Sequence, residues 1–442
     1  MKVTGLWASV LLLVALPGFA GQSDPSQAAP AQPDNAALMQ KIRDLEDRVI
    51  AMEGQIRQLK SQQALPAQPS PITVPNAEPG TQAAAASPQT QSSAAAALAS
   101  GAAAQSVVLG GAGGSAAKAL NPDISAIGDF VGVAGHNPVQ PSPALQMHES
   151  ELGFQAIIDP YSRGDFFLSF GEEGVTLEEG YITFTALPGS FVAKVGKMRS
   201  AFGKVNTLHN HVLPWVDRPL VTNNLVGDED GIDDAGLSIE RILPAPKGLF
   251  LDATGQLFRG DSGDQQSPLF QSTNKSDVSA VAHLRSYKDI TESTNIDLGL
   301  SYARGHNNQG SNFLTQLYGI DATLRWKPLR RSIYHSFVGR GEFIWSQRQQ
   351  FPSEQRAFGF YTSGDYQLGR RWFLGGRFDR SGRPESAKLT DEGASAVLTY
   401  WPSEFSQVRG QYRFMRYAGN INTNELLLQV MFSLGAHGAH PF

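Results

Sequence analysis

The sequence predicts an all-β protein: a transmembrane antiparallel β-barrel of about 16 strands, preceded by a short α-helical coiled coil and a disordered linker. Three observations favour this fold. From residue 121 onward, segments with a two-residue hydrophobic period follow one another. Their connections alternate between short turns and longer, more polar stretches. The 45 glycines and 24 phenylalanines suit a chain rich in turns and interfacial aromatic side chains.

Residues 1–20 have the features of a secretory signal. Lys2 precedes an apolar run of signal-peptide length, and small residues lead to a cleavage position after Ala20. A membrane anchor is the alternative interpretation, but the run is too short to span a bilayer. We therefore expect the protein to be exported.

Residues 34–63 predict a helix with a heptad repeat. Its apolar positions are spaced alternately by 4 and 3 residues, and charged residues fill many positions between them. Ile and Val at one seam position favour two strands, although a trimeric barrel could impose three. A lone amphipathic helix resting on another surface is the other interpretation. The seam residues are Leu38, Ile42, Leu45, Val49, Met52, Ile56 and Leu59.

Residues 64–120 predict a disordered periplasmic linker. The segment consists largely of Ala, Pro, Ser, Gln and Gly, which cannot bury enough apolar surface to offset the entropy of ordering.

Residues 121–442 predict the barrel. An even number of strands places both of its ends on the periplasmic side of an outer membrane. We expect strands to begin near Pro122, His148, Arg163, Thr176, Ser190, Ala235, Gly248, Asp277, Ser293, Phe313, Ser332, Gln355, Arg370, Asp391, Glu404 and Asn422.

The two faces of these strands predict where lipid and water lie. In the last strand, Leu426, Leu428 and Val430 share one face, whereas Leu427 and Gln429 share the other. Sixteen strands enclose a lumen too wide for side chains to fill, so the apolar face should meet lipid and the polar face water. Aromatic residues beside the short turns fit an interfacial girdle: Trp326, Trp372, Tyr400 and Trp401.

Composition and missing motifs exclude several functions. The formal net charge of −5 is too mild for a nucleic-acid role based on bulk charge. The chain has no cysteine, so it has neither a disulfide nor a thiol nucleophile. No catalytic or nucleotide-binding motif is present. We expect no enzymatic activity and no cofactor.

The connection from Ala201 to Asp234 is the longest in the predicted barrel and is unusually apolar. Trp215, Leu220 and Leu225 would be poorly placed on a solvent-exposed loop tip. A loop that folds into the lumen explains them better, and charged side chains beside it would then set selectivity.

The same region resembles the phosphate-selective porin O/P type. The resemblance rests on "VGKMRSAFGKVN", "PWVDRPLV" and "DDAGLSI", with matches at Gly196, Phe202, Gly203, Arg218 and Gly236. It implies a 16-stranded barrel, a homotrimer and passage of anions such as phosphate, and an N-terminal coiled coil is sometimes present in that family.

The candidate constriction and selectivity residues are the charged and imidazole groups of this loop, its flanking strand and the predicted inward faces. They are Lys194, Lys197, Arg199, Lys204, His209, His211, Asp217, Arg218, Asp228, Asp230, Arg340, Arg377, Arg409 and Arg413. The predicted inward bases and acids are equal in number, which favours a weakly selective pore. Many of these charges could instead pair across neighbouring strands.

Metal binding is a weaker interpretation of the same loop. His209 and His211 would face the same side of an extended segment and could bind zinc with nearby carboxylates. The acidic residues from Asp228 to Asp234 could hold calcium. Neither spacing matches a complete site, so we predict none; His437 and His440 near the C-terminus are a still weaker indication.

These observations predict an outer-membrane channel for passive diffusion of small hydrophilic solutes. Its partners would be membrane lipid, the solutes or ions, and two further copies of the chain, with no nucleic acid. A TonB-type or metal-linked receptor is the alternative, although no segment before the barrel suits a folded plug. A third possibility is a structural tether in which the coiled coil reaches toward the cell wall.

Overall fold

A computed structural model describes residues 122–171, 174–263 and 268–435. The predicted signal peptide, coiled coil and linker, together with His437 and His440, lie outside the described residues. Within them, no helix has the length and hydropathy needed to cross a membrane.

Sixteen antiparallel strands form a closed barrel in which each strand pairs with its neighbours in sequence. The barrel closes where β1 pairs with β16, for example at Asp129 opposite Met431. The strands are β1 (Asp123–His136), β2 (Leu145–Asp159), β3 (Ser162–Gly171), β4 (Gly174–Leu187), β5 (Phe191–Arg199), β6 (Asp233–Ile242), β7 (Leu249–Phe258), β8 (Ser279–Thr291), β9 (Thr294–His306), β10 (Leu314–Trp326), β11 (Phe337–Arg348), β12 (Gln355–Gly369), β13 (Trp372–Arg383), β14 (Ser386–Ser403), β15 (Ser406–Tyr417) and β16 (Ile421–Gly435).

The predicted all-β class and the count of about 16 strands are confirmed, whereas the coiled coil and the linker stay predictions. Fourteen of the sixteen strands begin within three residues of the predicted position. The eleventh begins at Phe337 instead of Ser332, because hydrogen-bonded turns after Pro328 occupy the intervening residues. The fourteenth begins at Ser386, before the predicted Asp391, because it continues as a hairpin with β13.

The predicted alternation of short and long connections holds only in part. Residues 200–232 and 259–278 are long, as expected for the outer side. The connections after β13 and β15 are as short as the turns at the opposite end, and residues 327–336 at that turn end are longer than expected. Between β13 and β14, the residues expected to form a long outer loop instead extend the two strands, which end in a short turn.

The faces of the barrel have the predicted polarity. In β16, Leu426, Leu428 and Phe432 are exposed on the outside, whereas Gln429 and Glu425 are buried inside. At the turn end, the Trp372 and Tyr400 rings stack with their centroids 4.4 Å apart, where an interfacial girdle belongs.

Candidate functional site

The connection between β5 and β6, residues 200–232 (the β5–β6 loop), begins with a Phe-Gly pair fitted to the inner wall. The Phe202 ring lies against Gly319 on β10, where an added Cβ would come within 3.2 Å of it. Gly203 has a φ of +63°, and a Cβ there would lie 2.5 Å from the Glu342 carboxylate. The Gly203 amide donates a hydrogen bond of 2.9 Å to the Ser301 hydroxyl. These contacts explain why the chain has Phe and Gly here.

The loop continues through four short helical turns, at Val205–Thr207, Asn210–Val212, Leu220–Thr222 and Asn223–Gly227. Its apolar side chains form a buried cluster with the inner wall. Trp215 packs edge-on against Tyr361 of β12, with ring centroids 5.1 Å apart. Cluster members from the loop are Phe202, Val205, Leu213, Trp215, Val221, Leu225, Val226 and Ile232.

Asp217 joins the middle of the loop to β13 and β15. Its carboxylate accepts hydrogen bonds from Arg377 at 3.0 Å, Arg413 at 2.8 Å and Gln411 at 2.5 Å. Burial alone would raise the pKa of Asp217, but Arg377 and Arg413 outweigh it and lower the pKa to about 2. The carboxylate is therefore ionised at neutral pH.

Further polar contacts fix the loop backbone to the wall. Arg409 donates to the Trp215 carbonyl at 3.0 Å, and the Leu220 amide donates to Asp379 at 3.2 Å. Asn224 donates to a carboxylate oxygen of Asp391 on β14 at 2.9 Å.

Arg218 forms hydrogen bonds with other residues of the same loop. Its guanidinium donates to the Asn210 side chain at 2.8 Å and to the carbonyls of Leu208 at 2.6 Å and Val205 at 3.2 Å. Burial lowers the pKa of Arg218 to about 10. This matching position of the porin resemblance is thus a buried donor to backbone oxygens.

The first half of the loop meets a cluster of carboxylates on β2 and β4. His209 Nδ1 lies 2.9 Å from Glu151 and 2.6 Å from Glu178, and its Nε2 lies 3.0 Å from Glu179. His211 Nδ1 lies 3.6 Å from Glu151. Burial would lower the pKa of His209, but these carboxylates raise it well above the usual range.

The predicted geometry of this pair is wrong in two respects. The segment Asn210–Val212 is a 3₁₀ turn instead of an extended strand, although the two imidazole rings still approach to 5.6 Å. The carboxylates beside the two histidines belong to β2 and β4 and not to the loop itself. Asp217 of the loop pairs instead with Arg377 on β13 and Arg413 on β15.

Several of the remaining predicted site residues form ion pairs or ring contacts. Lys197 lies 2.8 Å from Asp233, and Arg340 pairs with Asp365. Lys194 lies over the Tyr181 ring at 4.8 Å. Lys204 is half-buried; desolvation, followed by the charge of Arg285, lowers its pKa.

Arg199 and the two loop acids lie at the far end of the loop. Arg199 donates to the carbonyls of Glu229 and Asp230 at 3.3 and 3.1 Å. The Asp230 side chain is exposed to solvent, whereas Asp228 is half-buried at a positive φ of 61° after the last helical turn. The structure thus brings together Asp217, Arg377, Arg409 and Arg413, but it separates them from His209 and His211.

Sequence reasoning missed the four glutamates that surround the histidines. Glu149 and Glu151 occupy alternate positions on the inward face of β2, and Glu178 and Glu179 are adjacent on β4. The two-residue spacing of Glu149 and Glu151 was a usable signal for a shared face. Their approach to the loop depends on barrel closure, which no local pattern encodes.

None of the protein-family models matches the chain. An uncharacterized protein of Aquifex aeolicus is 27% identical over 349 residues, which are 70% of this chain and 72% of the relative. The anion-selective porin from Comamonas acidovorans superposes with a TM-score of 0.50 at 11% identity, over 71% of this chain and 99% of the porin. The outer membrane channel DcaP of Acinetobacter baumannii gives 0.48 at 12% identity, over 71% and 96%. The fold is that of outer-membrane porins.

Proposed function

We propose that this chain forms a water-filled channel in a bacterial outer membrane, through which small hydrophilic solutes diffuse passively. One observation carries the proposal: charged and amide side chains occupy the inward faces of sixteen strands whose outward faces are apolar. That inverted polarity suits an aqueous interior within lipid. The porin-like fold points to a channel rather than an enzyme.

The β5–β6 loop is the proposed constriction, and its contacts support that role. Val216 packs with Val131 of β1 and Leu427 of β16, while His209 reaches β2 and β4. Asp217 binds β13 and β15. Contacts on so many strands hold the loop across the lumen, where a fixed obstruction limits solute size.

A preference for anions is supported by three inward ion pairs in which the arginine is more exposed to water than its carboxylate; at the loop, in contrast, Asp217 is more exposed than Arg377 and Arg413. The arginine is 31% exposed against 5% for its carboxylate in Arg163–Asp165, 35% against 6% in Arg325–Asp297, and 24% against 16% in Arg340–Asp365. In these three pairs the positive group is therefore the one that faces the pore. Phosphate is one candidate, through the resemblance at Gly196 and Phe202.

We further propose a homotrimer whose coiled coil and linker lie in the periplasm. The heptad repeat of residues 34–63 supports this self-association. The TonB-type alternative is less favoured, because plugged transporters have barrels of about 22 strands.

Recording from purified protein in a planar bilayer tests the channel. We expect stepwise conductance and, under a KCl gradient, a reversal potential with the sign of chloride permeation. Absence of conductance steps from folded protein would overturn the proposal. Uptake that stops when the proton gradient is removed would favour an energised receptor instead.

A further inference from the structure

Two histidines of the β5–β6 loop and two glutamates of β2 converge inside the barrel. Glu149, Glu151, His209 and His211 each offer one ligand atom, and these four atoms lie within 4.8 Å of one another. The carboxylates belong to the wall and the imidazoles to the loop. The cluster is therefore assembled only when the loop is in its folded position.

The carboxylates of this cluster are compensated mainly by His209, which lies within 3.0 Å of Glu151, Glu178 and Glu179 but does not neutralise them all. Glu149 is 4% exposed, and no basic or amide group of the described residues donates a hydrogen bond to its carboxylate. Glu178 and Glu179 add two more carboxylates beside His209, and their side chains are 13% and 12% exposed. Buried charge without a partner is costly, so the site favours a cation.

Arg199, the arginine that approaches these carboxylates, compensates their charge only weakly. Arg199 directs Nη1 to the carbonyls of Glu229 and Asp230, and its Nη2 remains 3.8 Å from Glu178. A cation with a higher charge density than guanidinium would fit the space between the carboxylates and imidazoles.

We infer that Glu149, Glu151, His209 and His211 bind one divalent transition-metal ion, with Zn²⁺ as the representative. Two imidazole nitrogens with two carboxylate oxygens form a donor set that suits Zn²⁺, whereas Ca²⁺ and Mg²⁺ prefer oxygen alone. Zinc bonds of about 2.0–2.2 Å place tetrahedral ligand atoms roughly 3.3–3.6 Å apart.

The observed spacing is close to that requirement. His209 Nδ1 and His211 Nδ1 lie 2.9 and 3.6 Å from the same Glu151 oxygen, and all four ligand atoms lie within 4.8 Å. Metal binding would separate the closest pair slightly and contract the widest pair by about 1 Å. The bound metal ties the loop to β2, on a different part of the wall from the Asp217 anchor. It thereby acts as a second, reversible attachment of the loop.

Cobalt titration of the full-length, tag-free protein in detergent micelles tests the site. We expect one Co²⁺ per chain with visible absorption bands that Zn²⁺ abolishes by displacement. Glu149→Gln keeps the side-chain shape and removes the ligand charge, and His211→Gln removes an imidazole. Each should weaken Co²⁺ binding about tenfold or more.

Two controls locate the binding. His283→Gln alters an inward-facing histidine of β8 that contacts Ser301 at 2.8 Å, and it should bind Co²⁺ like the unmodified protein. The double variant His437→Gln/His440→Gln removes the imidazoles near the C-terminus and should also leave binding unchanged. Folding of each variant is checked by the heat-dependent gel mobility of the barrel.

The inference is overturned if the folded protein shows no saturable Co²⁺ or Zn²⁺ binding, or if it binds Ca²⁺ alone. It is also overturned if both Glu149→Gln and His211→Gln retain full affinity. Loss of binding in the His437/His440 variant would assign the metal elsewhere. Conductance without metal binding would leave the proposed channel intact and remove only this site.

Discussion

Asp217 accepts hydrogen bonds from three side chains on two strands, and its removal should free the centre of the loop. Asp217→Asn leaves the buried Arg377 and Arg413 guanidinium groups without one carboxylate partner. Removing one member of a buried ion pair costs about 3–5 kcal/mol. We expect cleavage of the loop by added protease and a noisier open-channel current.

Asp230→Asn is the matched control for this prediction, because its side chain lies exposed in the same loop. The anchoring role would be refuted if both variants showed the same protease resistance and the same current noise.

Asp217 should also determine how the stability of the folded loop decreases at acidic pH. Burial favours its neutral form, but the two arginines hold its folded pKa at about 2, below the usual value of 3.8. The stabilisation, about 2 kcal/mol by linkage, is present above pH about 4 and is lost as the pH falls toward 2. The fraction of the unmodified protein whose loop resists cleavage should decrease between pH 4 and 2. It can be measured with a protease that is active in acid. The decrease should be smaller in Asp217→Asn.

The alternation of residues in the sequence predicted which side chains point inward, but it could not predict their partners. Arg377 and Arg413 lie 160 and 196 residues from Asp217 along the chain. The sequence suggested these arginines as selectivity residues. The structure places them in contact with the loop, and their effect on ion passage stays a prediction.

At the scale of elements, the β5–β6 loop is held as much by apolar packing as by charge. Trp215 is fully buried between Tyr361 and the Arg377 guanidinium, which lies 4.8 Å from its ring. Trp215→Ala should destabilise the folded loop by about 3–5 kcal/mol. We expect a larger single-channel conductance, because a released loop no longer narrows the lumen.

Trp372→Ala provides the comparison, since Trp372 lies on the outer face at the turn end and stacks on Tyr400. It should leave conductance unchanged. Equal conductance in Trp215→Ala and the unmodified protein would contradict a constricting loop.

The apolar content of residues 201–234 was a sufficient signal for an inward-folded loop, because Trp215 and Leu225 had no other place to be buried. Its helical turns were not predictable from a periodic pattern, since each covers five residues or fewer. The extended conformation expected around His209 fails for that reason. Strand starts, in contrast, follow from the two-residue period and were nearly all predicted.

At the scale of the whole molecule, closure of the barrel decides what the interior charges do. Pairing between β1 and β16 closes the wall into a ring, so a loop that leaves β5 contacts β2 and β4 on one part of the wall and β13 and β15 on another. Glu149 and Glu151 therefore meet His209, although β5 follows β2 by three strands in the chain. No pattern within a single strand contains that information.

The distribution of exposed charge over the interior predicts the direction of ion selectivity. In three inward pairs the arginine is more exposed to water than its carboxylate. Neutralising Arg163, Arg325 and Arg340 together to Gln removes three exposed positive groups. It also leaves Asp165 and Asp365 without these arginine partners, whereas Asp297 keeps Arg285 at 2.7 Å. Both changes act in the same direction, so the reversal potential in a KCl gradient should shift toward cation permeation.

Arg416→Gln is the control for this triple variant, because Arg416 is exposed on the outer side of β15 and pairs with Glu392 at 3.7 Å. It should leave the reversal potential unchanged while altering the net charge of the chain. If the triple variant and Arg416→Gln gave the same reversal potential as the unmodified protein, the exposed arginines would not set selectivity. Charges of the β5–β6 loop would then have to set the ion selectivity, and Lys204 and Asp230 are the loop charges to neutralise next.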